Sequence, residues 1–181
     1  MAVRTTLKTF NLSSAKLLLV VGHAYEANIY MGMLEGFGAR GVVRCSTADE
    51  ANLHLERADF DLVIVDSRIR DGDAYEFVRS VRQSQDPRRM FVPVLMIAGH
   101  TPREQITMAR DSGSHFLIRK PISAATLLER ILWIVREHRI FIESQAYSGP
   151  DRRFKTEGPP GVERREDDGE LQPPRRPRPG G

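Results

Sequence analysis

Residues 60–66 read Phe-Asp-Leu-Val-Ile-Val-Asp, FDLVIVD. A short, β-branched, nearly continuous apolar run of this kind is the composition of a strand buried on both faces of a parallel sheet. The run ends on a carboxylate, Asp66. In an open α/β sheet, ligands and chemistry collect in the crevice outside the carboxyl ends of the strands, so Asp66 stands in the place of a functional acid.

The chain on either side alternates between strand and helix patterns. Before it, KLLLVV (16–21) is a buried strand closed by Gly22-His23. The apolar residues of 24–37 (Ile29, Met31, Met33, Leu34, Phe37) have helical spacing and end at Gly36 and Gly38, and Val42-Val43 with Cys45 form a second strand. Thr47-Ala48-Asp49-Glu50 is a capping-box signature that opens a helix to about Arg57. After Asp66 come a polar loop (67–72), a helix over 73–84 broken by Asp86-Pro87, a strand VPVLMIA (92–98), and a helix opened by Thr101-Pro102. A fifth strand over 115–118 leads into Lys120-Pro121, and Ser123 caps a last apolar helix. Five β-α units with short connections specify a parallel five-stranded sheet covered by helices on both faces, and right-handed crossovers make it doubly wound. Residues 1–15, polar and tacked down by Leu7, Phe10 and Leu12, read as a lead-in arm, and the folded domain spans 16–143.

From Tyr147 the composition changes. The last 35 residues hold seven of the eleven prolines, and seven acids are interspersed with eight bases. A segment so poor in aliphatic residues cannot offset its chain entropy, so 147–181 is expected to be a disordered tail. Its Arg-Arg pairs at 152–153, 164–165 and 175–176 include a near-repeat, GPDRR (149–153) and GVERR (161–165).

Charge and composition exclude several classes. The 181 residues carry a net charge of only +3, because 24 acids offset 27 Lys and Arg, so a duplex-DNA binder is not expected. Cys45 stands alone and reads as a small core residue in a reducing compartment. No apolar run reaches the roughly 18 residues of a membrane span, no signal pattern opens the chain, and a cytoplasmic location is expected. No serine or cysteine nucleophile stands beside a base, and no G-x-G-x-x-G follows the first strand, so neither an enzyme nor a dinucleotide binder is indicated. His23 and His100 follow the first and fourth strands. With Asp66 they could in principle hold a transition metal, and a polar crevice with unpaired histidines is the favoured reading. Trp133, Ile134 and Ile140–Ile142 leave the last helix apolar on many sides, enough for a core face and for a patch that meets a partner or a second copy as a homodimer.

Taken in order, FDLVIVD (60–66), PVLMIAG (93–99) and the spacing from Gly113 to Lys120-Pro121 resemble the response-regulator receiver family, of which CheY is the familiar member. The likeness covers about 16–139 and implies the flavodoxin-like (βα)5 fold and a role in two-component, phosphorelay signalling. It also implies that Asp66 is the phosphoacceptor for a histidine kinase, with Mg²⁺ held by two acids after the first strand to neutralise the phosphoryl charge. The sequence departs from that pattern. Gly22-His23 replace the two acids, Ala98 replaces a hydroxyl residue at the end of the fourth strand, and Leu117 replaces an aromatic switch. Arg70-Asp71 replace a Pro-Gly pair. Lys120 is kept beside Asp66, and Pro121 is expected to follow a cis bond.

Three readings follow. The first is a receiver with degenerate phosphorylation chemistry that signals by protein contact, without a metal or cofactor and with no output domain after it. The second is a working phosphoacceptor on Asp66 that uses Mg²⁺. The third rests on the tail, whose Arg152, Arg153, Arg164 and Arg165 resemble the arginine-rich extension of CheY-like proteins that bind cyclic di-GMP and dock on the flagellar motor. Forked guanidinium groups suit phosphates and purine faces.

Overall fold

Leu17, Leu18 and Leu19 are each almost fully buried, yet they pack into two different cores. That single strand defines the architecture. In the computed structural model the backbone is described for residues 11–99, 103–136, 141–144 and 147–150, and the side chains for all of these except 103–105, 136 and 141–148. The elements in chain order are β1 (Lys16–Val20), α1 (Ala24–Gly36), β2 (Gly41–Cys45), α2 (Ala48–Arg57), β3 (Leu62–Asp66), α3 (Ala74–Arg82), α4 (Pro87–Met90), β4 (Val94–Ala98), α5 (Arg103–Ser112), β5 (Phe116–Arg119), α6 (Ala124–Arg136), β6 (Phe141–Ser144) and β7 (Tyr147–Pro150).

The sheet is five-stranded and parallel, in the order β2-β1-β3-β4-β5, the doubly wound arrangement expected from the sequence. Strand side chains alternate between faces, so Leu17, Leu19, Ile64, Leu95 and Ile97 meet residues of α1 and α6 such as Leu34, Leu127 and Ile131. Leu18, Val20, Val63, Val65 and Met96 meet α2, α3 and α5 through Ala51, Leu55, Val78, Val81 and Ala109. Burying one such aliphatic side chain contributes about 2 kcal/mol, and neither face is left to solvent. The β3 strand is buried at every position, Asp66 included.

Local signals set the ends of the elements. Thr47 Oγ1 accepts from Glu50 N at 3.1 Å, as a cap should, and the Glu50 carboxylate reaches back to accept from Ser46 N at 2.9 Å. Asp86-Pro87 does more than break α3: Asp86 accepts from Arg88 N and starts the single turn of α4, with Pro87 at its first position. The buried Arg82, at the end of α3, donates to the carbonyls of Gly113, Met90 and Val92, tying the α5–β5 connection to the segment that leads from α4 to β4.

The boundary expected at 147 is shifted. Residues 147–150 pair antiparallel with 141–144, and β7 lies against α3 with Gly149 and Pro150 buried. Aliphatic poverty is no bar here, because a hairpin can recruit backbone hydrogen bonds and lean on an existing helix. Leu12 of the lead-in arm is buried in the α1 core, and its amide donates to Phe37. Residues 1–10 and 151–181 lie outside the described residues, as do Leu7 and Phe10.

Candidate functional site

Three segments converge on the carboxyl end of β3. Asp66 shares its face of the sheet with Leu62 and Ile64, the face covered by α1, and is fully buried. Its Oδ1 accepts from the amide of Arg68 at 2.9 Å. Lys120, one residue past β5, is anchored by its own amide donating to Ala98 O at 2.7 Å, and the Lys120–Pro121 bond is cis. Its Nζ lies 2.6 Å from Asp66 Oδ2 and donates to Glu26 Oε1 at 2.8 Å. The Asp66 contact is an ion pair by distance rather than a well-aligned hydrogen bond, and Asp66 Oδ2 has no other donor among the described residues.

Glu26 comes from the first turn of α1, where a carboxylate is favoured by the helix dipole. It escapes a sequence search for acids immediately after β1, because it stands three residues beyond His23. The readable signal was its position: an acid in the first turn of the helix that follows β1 faces the strand-end crevice. Arg68 approaches the same oxygen, with Nη2 3.8 Å from Glu26 Oε1. One turn along α1, burial, and after it the charges of Asp66 and Glu26, push the Tyr30 phenol well above its ordinary value. Tyr75, from α3, is also pushed up, by burial and then by Asp73 and Asp66, and its hydroxyl is buried without a partner among the described residues. Two carboxylates, an ammonium and a guanidinium thus form one charged cluster behind two neutral phenols.

Gly22 explains where the expected acids have gone. Its amide donates to Arg68 O at 3.2 Å, and a Cβ built on it would stand 2.7 Å from that oxygen and 2.9 Å from the Ile69 carbonyl carbon. The loop after β3 is folded onto the end of β1 and pinned there: Arg70 N donates to Ser46 O, and Asp71 accepts from Ala48 N at 2.6 Å. Gly72, at φ +63°, makes the turn that lets the loop leave again. Arg70-Asp71 therefore do structural work between α2 and this loop.

The residues present do not fit Mg²⁺. That ion wants near-octahedral oxygen, with one or two carboxylates and several waters. The space between the two carboxylates is taken by Lys120 Nζ, and the Arg68 carbonyl is engaged by Gly22. Glu26 Oε2 is the one remaining buried carboxylate oxygen here with neither a hydrogen bond nor an ion pair among the described residues. Ala98 is buried and brings no hydroxyl. Leu117 packs into the α3 core, while its neighbour Phe116 meets Trp133 edge-on at 5.4 Å, with the Arg130 guanidinium 4.9 Å from its ring centre. Trp133 is thus partly buried against the α1 core.

His23 is the N-cap of α1, makes no side-chain cap bond and forms no ion pair with Asp66. His100 lies outside the described residues, and among those described no three His, Cys, Asp or Glu side chains could hold a metal. Arg152, Arg153, Arg164 and Arg165 also lie outside the described residues, as does any cyclic di-GMP site built from them. No helix among the described residues is long and apolar enough to cross a membrane.

Comparison with known proteins gives a consistent result. Residues 18–132 match the family profile described as the response regulator receiver domain. The chain is 28% identical over 116 residues to the chemotaxis protein CheY-3 of Vibrio cholerae, covering 64% of this chain and 88% of that protein. It is 30% identical over 105 residues to the KDP operon transcriptional regulatory protein KdpE of Escherichia coli, covering 58% of this chain and 44% of that one. Among solved structures it superposes on the chemotaxis protein CheY4 of Vibrio cholerae with a TM-score of 0.61 at 26% identity, covering 66% and 98% of the two chains. A CheY-like receiver domain protein of Methanospirillum hungatei has the same fold, with a TM-score of 0.61 at 21% identity over 67% and 94%.

Proposed function

We propose, for a chain that belongs to the response regulator receiver family, a signalling adaptor that works by protein contact and not by metal-dependent phosphorylation of Asp66. The observation that carries this reading is the closed end of β1: the Gly22 amide donates to the Arg68 carbonyl, and a Cβ at 22 would stand 2.7 Å from that oxygen, so no carboxylate there helps Asp66 to hold a divalent ion. Lys120 Nζ, 2.6 Å from Asp66 and 2.8 Å from Glu26, is the positive charge that the pocket keeps. Lys120 and Arg68 together offset the two carboxylates, and Asp66 stays fully buried, so the acid closes the end of the sheet.

Phosphoryl transfer to a carboxylate needs the incoming charge to be neutralised and the nucleophile to be reachable. Gly22 offers no ligand, Ala98 no hydroxyl and Leu117 no polar end to move between core and water. Without those parts the free energy of an acyl phosphate has nothing to act on. Signalling then rests on the surface the fold presents, with a histidine kinase or another protein of a signalling complex as partner.

A second reading, a phosphoacceptor regulator, is favoured by one observation: Asp66 ends β3 in ion-pair contact with Lys120. Incubation with acetyl phosphate and Mg²⁺, followed by intact-mass analysis, separates the two. The adaptor gains no phosphoryl mass, and an Asp66-dependent gain identifies the regulator.

A further inference from the structure

Beside the ion cluster lies a cleft of about 390 Å³ lined by Gly22, His23, Ala24, Arg68, Ile69 and Arg70. Its volume falls in the range of small-molecule sites, roughly 300–1,000 Å³, and far exceeds what one ion or water requires. Its lining is cationic. Arg68 and Arg70 bring two guanidinium groups and His23 an imidazole, while neither Asp66 nor Glu26 is among the lining residues. His23 and Arg70 are exposed and hold no hydrogen bond or ion pair through their side chains among the described residues, and Arg68 is 62% exposed with only a long contact to Glu26.

The backbone adds to this. The α1 ladder begins with Ala27 N donating to His23 O, so the amides of 24–26 have no helical acceptor, and no side chain caps them. Ala24 lines the cleft. The positive end of a 13-residue helix and three basic side chains therefore face one concavity.

We propose that this cleft binds a small phosphate-bearing molecule, with Arg70 and His23 as the principal side-chain contacts, Arg68 as a third, and the amides at the start of α1 completing the site. A phosphate dianion suits forked guanidinium donors and free helix amides alike. The close fit of Gly22 beneath the 68–70 loop preserves the cleft, since a side chain at 22 would push that loop out of place. The proposal is independent of whether Asp66 accepts a phosphoryl group.

The test is a titration of the full chain with AMP in EDTA, read by backbone amide shifts, with adenosine as the uncharged control. The expected result is a saturable shift at Gly22, Ala24 and Ile69 with AMP and none with adenosine. Arg70→Glu, at an exposed position, weakens AMP binding by about tenfold or more while leaving amide shifts distant from the cleft unchanged. His23→Ala weakens it less. Absence of a saturable AMP shift, an equal response to adenosine, shifts confined to the arginines after 151, or unaltered binding by Arg70→Glu would each overturn the proposal.

Discussion

Gly22 and Arg68 are in backbone contact: the glycine amide donates to the arginine carbonyl at 3.2 Å, and a methyl carbon at position 22 would stand 2.7 Å from that same oxygen. An acid placed at position 22 by mutation therefore meets a backbone wall rather than an open metal site. Gly22→Asp should cost about 1–3 kcal/mol, the usual range for overpacking. It should also bring no saturable Mg²⁺ affinity. Thermal melts and a Mg²⁺ titration check both halves. Recovery of metal binding at unchanged stability would show that the loop yields easily.

Lys120 is the hinge of the ion cluster. Lys120→Met leaves the Asp66 carboxylate buried without its ammonium and should destabilise the fold by about 3 kcal/mol, as breaking a buried pair does. Because the penalty is mostly the stranded charge, adding Asp66→Asn should return a large part of it. Urea denaturation of both single variants and the double variant measures the coupling.

Arg82 carries a different kind of burden. It is 1% exposed and gives hydrogen bonds to three carbonyls, one in the α5–β5 connection and two in the stretch from α4 to β4. Arg82→Met keeps the stem and strands those oxygens, at about 1–3 kcal/mol for each that water cannot reach. A loss of at least 3 kcal/mol is expected in chemical denaturation, with faster amide exchange at 113–115.

Cys45 should be inert. Burial, with Glu50 and Asp71 after it, pushes the thiol up from 9.0 to about 12, so the reactive thiolate is scarce at neutral pH. Alkylation at pH 8 should be slow in the native protein and fast in denaturant. A folded pKa above the unfolded one also fixes the sign of linkage: the contribution to stability is intact below about pH 9 and is lost as pH rises towards 12.

The sheet was legible because its evidence is local and redundant. FDLVIVD and PVLMIAG are too apolar to be anything but doubly buried strands, and the helices between them carry their own caps. The position of Asp66 followed from strand polarity alone. Its company did not. Glu26 enters from a helix turn, and only the packing of α1 against the sheet brings it 2.8 Å from Lys120, 94 residues away in sequence. Gly22 read as a missing ligand, whereas in the fold it is also the residue that admits the Arg68–Ile69 backbone. The β6–β7 hairpin was missed because its stabilisation is not aliphatic periodicity: it depends on antiparallel pairing and on support from α3, neither of which leaves a strong mark in FIES or YSGP.

Everything proposed for signalling turns on whether the site at Asp66 responds to a phosphoryl mimic. The direct measurement is a titration of the protein with beryllofluoride and Mg²⁺, following the amides of Asp66, Arg68, Gly99 and Lys120. A site with no carboxylate at 22 or 23 and no hydroxyl at Ala98 predicts no saturable shift at any of them. A saturable shift that is abolished by Asp66→Asn would contradict that prediction and identify a working phosphoacceptor.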